Sequence, residues 1–295
     1  MKNKKLKLIL NLGTLAILAL VVYSSRHDLS NVISELYDAN LLLLLLLIPL
    51  QLLNYHAYAR MYQEIFGHLG EKVQYWDMTK VSVEMSFVNY VFPSAGISGF
   101  GYFGLRMRSF GVRATRSTLA QTMRWVIVLG SFIPVLGLGV FLLSLGNQVS
   151  NIVILAASGL SFGVILLILC LVFLLEKKDG LQNSTLFFGE RAENAINFFK
   201  KKKVKLITEK RKEWIEANFK RVEHDYKTIR KSWRGVIYTC RWGIFANITE
   251  VATIGVCFMV LGASPVWGAI IIAYGVANIG SFVAVLPGGH GVYEA

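Results

Sequence analysis

The sequence predicts an all-α, polytopic transmembrane helical protein. Hydrophobic residues make up 54% of the 295 positions and charged residues only 17%, which is too apolar for a soluble domain. Several apolar runs approach or exceed the roughly 20 residues that a helix needs to cross a bilayer. Two runs are interrupted by Pro and Gly, and we interpret them as broken, re-entrant segments of an inverted pseudo-repeat.

Five runs have the length and composition of membrane spans. They are Leu6–Tyr23, Ala39–Tyr58, Leu119–Leu145, Ile152–Leu175 and Val236–Leu261. Two further runs, Tyr75–Phe92 and Val266–Leu286, are hydrophobic but more ambiguous. The first span follows lysines as a signal peptide would, but no small-residue cleavage site comes after it. We therefore interpret it as a retained first helix.

The distribution of Lys and Arg predicts the topology, because cytoplasmic loops of membrane proteins are enriched in both. The lysines before the first span place the N-terminus in the cytoplasm, as expected of a multi-pass protein of the cell membrane. Basic residues on both sides of Tyr75–Phe92 require an even number of crossings between them. A re-entrant hairpin over 75–104 that turns at Pro93–Gly96 satisfies this requirement.

A hydrophilic segment, 176–235, separates the N-terminal membrane half, 1–175, from the C-terminal half, 236–295. Between Glu176 and Arg234 it carries 17 Lys or Arg against 9 Asp or Glu, so we predict that it is cytoplasmic. An apolar stripe with steps of four and three residues predicts an amphipathic helix. The stripe consists of Ile215, Phe219, Val222, Tyr226, Ile229 and Trp233. We expect this helix to lie on the anionic leaflet through its basic face.

Ionisable residues inside apolar runs are costly and mark candidate functional sites. Glu84 shares a helical face with Asp77 and Lys80, which suits a helix lining a polar cavity. The alternative is an interfacial helix with an internal Lys80–Glu84 pair. Arg124 lies on a polar stripe of the third span, and its alternative role is to snorkel to the cytoplasmic surface.

The span from Val236 places Asn247 and Glu250 on one face, near the middle of the membrane. We predict a functional role for Glu250, with a buried structural hydrogen bond as the alternative. Tyr58 and Tyr62 share a face of the second span, but an aromatic belt at the membrane interface explains them equally well.

The two Pro/Gly interruptions are similar in sequence. Ser86-Phe87-Val88 is followed by Pro93 and Gly96, and Ser281-Phe282-Val283 by Pro287-Gly288-Gly289. The predicted topology makes the two segments enter the membrane from opposite sides, an arrangement that marks binding sites in transporters. Chance similarity between two membrane breaks is the alternative.

These residues resemble a known family. The resemblance lies in Pro93 to Tyr102, Leu105-Arg106, Phe110-Gly111-Val112, a span opening near Arg124, and Leu286 to Glu294. Together they are similar to the membrane region of lysylphosphatidylglycerol synthases, which also occurs alone in uncharacterised integral membrane proteins. The resemblance implies a flippase-like module that moves a phospholipid, or an aminoacylated or isoprenoid-linked lipid, between leaflets.

Combined with the residue patterns, the resemblance predicts a lipid site. Backbone N–H groups around the two glycine turns would favour an anionic headgroup, arginines would add positive charge, and carboxylates would balance cations. The predicted site residues are Glu84, Pro93, Gly96, Gly99, Arg106, Arg124, Asn247, Glu250, Pro287, Gly288, Gly289, His290, Gly291 and Glu294.

Other functions fit the residues less well. The resemblance leaves open that the chain is the membrane module of a phosphatidylglycerol lysyltransferase, but segment 176–235 is too small to be the transferase domain. From similar proteins we expect further helices after Ala295. A membrane scaffold acting through the basic cytoplasmic helix is a second alternative. We predict no catalytic residues, cofactor or metal, no ATP-binding P-loop and no nucleic-acid binding, while a separate enzyme partner and the oligomeric state stay open.

Overall fold

The computed structural model describes residues 39–91, 97–146, 151–176 and 209–283. Within these ranges the secondary-structure elements are eight helices, so the predicted polytopic helical fold is confirmed. The helices are α1 (Leu41–His68), α2 (Tyr75–Val91), α3 (Ile97–Ser109), α4 (Ala114–Leu145), α5 (Asn151–Glu176), α6 (Glu209–Lys231), α7 (Trp233–Val260) and α8 (Trp267–Val283).

Three of these helices are long and apolar enough to cross a membrane, namely α1, α4 and α7. The predicted spans Leu119–Leu145 and Val236–Leu261 correspond closely to α4 and α7, and Ile152–Leu175 to the helix α5. The second span was predicted to end at Tyr58, but α1 continues to His68. The prediction ended too early because the added turns are polar where they contact other helices. The first predicted span, Leu6–Tyr23, lies outside the described residues.

Residues 39–48 and 256–265 form a small compact unit. The Asn40 side chain accepts a hydrogen bond from the Leu42 backbone N–H at 3.1 Å and so caps the first turn of α1. The Asn40 backbone N–H donates to the Val260 carbonyl at 3.1 Å. In the same unit, α7 ends in a turn at Gly262, which adopts the left-handed conformation, with a φ of 76°, that is common after the end of a helix.

In the larger unit, residues 49–255 and 266–283, α1 and α7 form an antiparallel pair held by polar contacts. Near one end, Ser232 bonds to the His68 ring at 3.0 Å. In the middle, Glu64 of α1 accepts hydrogen bonds from Thr239 at 2.9 Å and from the Trp242 indole at 2.9 Å, and it pairs with Arg241. The structure thus places the Arg241 guanidinium on this carboxylate.

Helices α2 and α3 form an antiparallel hairpin packed on the same pair. Glu84 of α2 contacts Arg106 of α3. Asn89, which lies later in α2, contacts Gly99, which lies earlier in α3, so the two helices run in opposite directions. The hairpin contributes a core of side chains that contains Met78, Val81, Met85, Phe103 and Met107, and these pack with Tyr62, Ile65 and Phe66 of α1. This burial orients the polar face of α2 toward α3.

The amphipathic helix α6 docks against protein through its apolar stripe. Tyr226 and Ile229 are buried in the same core as the hairpin, and Val222 packs against that core. Asp225 is buried too and accepts a hydrogen bond from Arg116 of α4 at 3.4 Å. Protein therefore covers the described apolar face of this helix, and contact of its basic face with the leaflet stays a prediction.

Helices α4 and α8 approach closely at glycines. A Cβ atom built on Gly268 would lie 2.6 Å from the Gly139 carbonyl oxygen and 2.5 Å from Leu143 Cγ. Such approach of small residues is a common basis of helix association in membranes, where apolar burial alone gives little driving force. The side chains beside it, including Phe132, Leu136 and Ile271, form a second core with Tyr274.

We predict that Gly268→Ala destabilises the protein by about 1–3 kcal/mol, because backbone of α4 must move to admit the methyl group. Gly137→Ala is the matched control, since a Cβ there meets nothing within 4 Å. The measurement is the unfolding midpoint of the purified protein in detergent. Equal midpoints for the two variants would show that the close approach of α4 and α8 is not required.

Candidate functional site

A partly buried polar cluster lies where α1, α4, α7 and α8 meet. Its centre is the Glu250 carboxylate of α7, which accepts hydrogen bonds from the Tyr58 hydroxyl at 2.7 Å, from the Tyr274 hydroxyl and from the Asn54 amide at 3.3 Å. Tyr58 and Asn54 belong to α1 and Tyr274 to α8. One carboxylate thus joins three helices.

Arg124 of α4 supplies the positive charge of this cluster. Its guanidinium lies over the Tyr58 ring, 4.6 Å from the ring centroid, and 5.1 Å from the centroid of Trp125. A cation over an aromatic face is stabilised by the ring quadrupole, and more so where water is scarce. The Arg124 Nε atom is buried and has no hydrogen-bond acceptor among the described residues. The cluster therefore contains an unused, charged N–H donor.

Asn247, one helical turn before Glu250, ties α7 to α4. Its amide donates to the Val128 carbonyl at 3.0 Å and to the Ser131 hydroxyl at 3.2 Å. Tyr274 contacts the Asn247 amide oxygen at 3.4 Å in addition to Glu250. Asn247 is therefore a positioning residue in this arrangement, since its donors are both engaged by α4.

A second set of contacts connects the cluster to the hairpin. The Tyr62 hydroxyl donates to the Gln121 side chain at 2.7 Å, and the Gln121 amide lies 3.0 Å from the Met85 sulfur of α2. The Tyr62 ring also stacks on Phe103 of α3, with 4.7 Å between centroids. Tyr62, Gln121 and Phe103 are fully or almost fully buried. This chain of contacts makes the hairpin and the cluster neighbours in the core.

The hairpin carries its own charged group, centred on Glu84. This carboxylate accepts hydrogen bonds from the Tyr102 hydroxyl at 2.7 Å and from Arg106 Nε at 3.1 Å. About a third of each side chain of the Glu84–Arg106 pair is exposed, 37% and 35%. The sequence left open a pair between Lys80 and Glu84, but Glu84 contacts α3 instead. An exposed pair of this kind contributes little to stability, about 0–1 kcal/mol.

The N-terminus of α3 is already occupied by protein. The Gly99 N–H donates to the Asn89 side-chain oxygen at 3.0 Å, so α2 caps α3 from the side. A Cβ on Gly99 would come within 2.7 Å of Asn89 Cγ, which explains why glycine suits this position. Of the backbone N–H groups that the sequence predicts to favour an anionic headgroup, the one of Gly99 is engaged by α2.

The structure thus brings three of the predicted site residues into one cluster and three into another. Arg124, Asn247 and Glu250 belong to the cluster of α1, α4, α7 and α8, whereas Glu84, Gly99 and Arg106 belong to the hairpin. The other eight lie outside the described residues, namely Pro93, Gly96, Pro287, Gly288, Gly289, His290, Gly291 and Glu294.

The sequence left the roles of two tyrosines open and missed a third. Tyr58 and Tyr62 fitted an aromatic belt and a polar helix face equally well, and in the structure both hydroxyls bond to side chains of other helices. Tyr274 was not singled out at all. The signal available for Tyr274 is a tyrosine and an asparagine, Asn278, one turn apart in an otherwise apolar run, which is typical of a helix with one polar face.

Comparison with known proteins identifies a family. The family described as the lysylphosphatidylglycerol synthase TM region matches residues 9–295, nearly the whole chain. No curated protein and no solved structure matches.

We predict that Gly99→Ala lowers stability by about 1 kcal/mol, the typical value of a helix cap, because the added methyl group displaces the Asn89 amide. Asn89→Ala should cost a similar amount by removing the cap. Adding Gly99→Ala to Asn89→Ala should cost nothing more, since the clash and the cap are gone together. Unfolding midpoints of the four proteins measure this coupling.

Gly101→Ala is the control for that cycle, because a Cβ at Gly101 meets nothing within 4 Å. Additive effects of the Gly99 and Asn89 substitutions would contradict the proposed cap.

Proposed function

Because the chain belongs to the family of the lysylphosphatidylglycerol synthase TM region, we propose that it binds a phospholipid, or an aminoacylated or isoprenoid-linked lipid, and moves its headgroup between the two leaflets. The chain is an integral membrane protein. The observation that carries the proposal is the partly buried cluster that contains Arg124 and Glu250. Charges of both signs inside apolar helices are costly and are typical of substrate pathways in membrane proteins.

In this proposal Arg124 recognises the phosphate. Residue 124 lies about 15 Å along the helix axis from the first residue of α4, which is deep enough to contact a headgroup that has left the membrane surface. Its buried Nε–H has no acceptor among the described residues, so a phosphate oxygen would satisfy it. The aromatic faces of Tyr58 and Trp125 hold the cation without neutralising it.

Glu250 has two roles in the proposal. Without lipid, its carboxylate holds α1 and α8 together through Tyr58 and Tyr274. When a headgroup enters, these hydroxyls exchange the carboxylate for phosphate oxygens, and the carboxylate balances Arg124 or contacts an amino group of the headgroup. The acyl chains stay in the bilayer while the headgroup crosses. The two charges offset each other, so a headgroup meets a site of nearly neutral total charge.

We propose further that the α2–α3 hairpin is re-entrant and opens this path from one side. Helix α3, with 13 residues, is about 20 Å long, which is short of the roughly 30 Å hydrocarbon layer. Glu84 and Arg106 lie on this hairpin and are partly exposed, as expected of groups at the mouth of a polar path. The second broken segment, around Pro287, is proposed to play the same part from the opposite side.

We predict that Glu250→Gln leaves the protein folded but slows lipid translocation about tenfold or more. The substitution keeps the size of the side chain and removes the charge, and hydrogen bonds to a charged group are worth roughly 1.5–3 kcal/mol. The measurement uses the full-length chain in vesicles that carry a fluorescent phospholipid in one leaflet. Movement of this lipid to the other leaflet is followed with an impermeant reductant, which quenches only the fluorophores in the outer leaflet.

Tyr274→Phe should act in the same direction, because it removes one hydroxyl from Glu250. Tyr55→Phe is its matched control, since the Tyr55 hydroxyl is not one of the partners of the Glu250 carboxylate. If Glu250→Gln translocates lipid at the wild-type rate and lowers only the unfolding midpoint, Glu250 is structural and the proposed site is misplaced.

We also propose that the N-terminus and segment 176–235 face the cytoplasm of the plasma membrane, as the Lys and Arg asymmetry predicts. Single cysteines at Asn31, Gln148 and Lys202 in a cysteine-free background test this topology. An impermeant thiol reagent applied to intact cells is expected to label the first two positions and to spare the third. Strong labelling at position 202 would overturn the topology.

A further inference from the structure

The junction between α6 and α7 has a fixed position in the fold. We call residues 230–238 the elbow, and within it only Ser232 separates the two helices. The Ser232 hydroxyl bonds to the His68 ring at 3.0 Å, and a Cβ on Gly235 would lie 2.9 Å from His68 Nε2. Both contacts hold the elbow against the end of α1. Its outward side chains are therefore presented on a rigid support.

The outward side of the elbow is apolar and aromatic. Trp233, Ile237 and Tyr238 are 56%, 58% and 66% exposed. They occupy the first turns of α7, which is long and apolar enough to cross a membrane. Trp and Tyr are enriched where membrane spans meet the headgroup region. This part of the elbow suits the boundary between water and lipid.

The same surface is positively charged. Lys231 and Arg234 are exposed, and the Arg234 guanidinium lies over the Trp233 ring at 5.8 Å from its centroid. The nearest acidic residues of α6 are engaged elsewhere, because Asp225 is buried against Arg116 and Glu223 pairs with Lys227. The elbow therefore combines exposed cations with aromatic rings.

We infer that the elbow binds the headgroups of anionic lipids in the leaflet that it faces. Its cations attract the phosphate and glycerol-phosphate groups of such lipids, and its aromatic rings lie among the upper acyl chains. An acidic protein segment would match the cations but not the rings at the start of a membrane span. This surface is separate from the Glu250 cluster, and the inference does not depend on lipid translocation.

Quenching of Trp233 fluorescence by brominated lipids tests the inference. The full-length chain is placed in vesicles of phosphatidylcholine and phosphatidylglycerol, with bromine on the acyl chains of one lipid at a time. The Trp233 signal is the difference between the protein and Trp233→Phe. We expect brominated phosphatidylglycerol to reach half-maximal quenching at about one fifth or less of the mole fraction that brominated phosphatidylcholine needs, because each of the two cations contributes about 1 kcal/mol, or about fivefold.

Charge-neutralised variants locate the effect. Lys231→Gln with Arg234→Gln should abolish the preference for phosphatidylglycerol. Lys220→Gln with Arg221→Gln, the matched control on the same helix, should retain it, because these exposed residues lie about 15 Å along α6 from the elbow. Glu250→Gln should retain it as well, which separates this inference from the proposed translocation.

Three results would overturn the inference. Equal quenching by the two lipids would show contact with lipid but no selection of anionic headgroups. Quenching by neither lipid would place the elbow outside the bilayer and favour an acidic protein partner. A preference that survives neutralisation of Lys231 and Arg234 would place the anionic lipid elsewhere.

Discussion

The hydrogen bonds to the Glu250 carboxylate are the interaction on which the arrangement of helices depends. A carboxylate inside an apolar helix costs roughly 2.5–3.5 kcal/mol on membrane-insertion scales unless other groups satisfy it. Here Tyr58 and Asn54 of α1 and Tyr274 of α8 provide three donors, and Arg124 of α4 lies across the Tyr58 ring. A buried charge can thus specify which helices come together, although it need not stabilise them more than apolar packing would.

The neighbouring contacts keep this carboxylate and its partners in register. Glu64 binds α7 further along the same antiparallel pair, so α1 cannot slide past α7 without breaking both sets of bonds. Close approach of Gly139 and Gly268 holds α8, and with it Tyr274, against α4. Docking of α6 by Asp225 and Arg116 fixes the start of α4. The rigid parts of the fold thus surround the residues that we propose to contact lipid.

Periodicity and hydropathy were sufficient to predict the helices and to select Arg124, Asn247 and Glu250, because ionisable and amide side chains stand out in apolar runs. They were not sufficient to predict partners. A tyrosine at the end of a predicted span looks the same in sequence whether it faces lipid headgroups or a carboxylate of another helix, so the sequence left both roles open for Tyr58.

Helix α6 shows the same limit. Its apolar stripe predicts a helix that buries one face, but not which surface covers that face. In the structure the cover for Tyr226 and Ile229 is protein, and the buried Asp225 beside them pairs with Arg116, a residue far away in sequence.

The most direct test of the central claim is to locate the headgroup in the protein. A phospholipid with a photoreactive headgroup would be added to the full-length chain in vesicles, crosslinked by light and mapped by mass spectrometry. Our account predicts labels on the inward faces of α1, α4 and α7, around Tyr58, Arg124 and Glu250. Labels confined to exposed residues at the ends of the helices would contradict it, because the headgroup would then never enter the cluster.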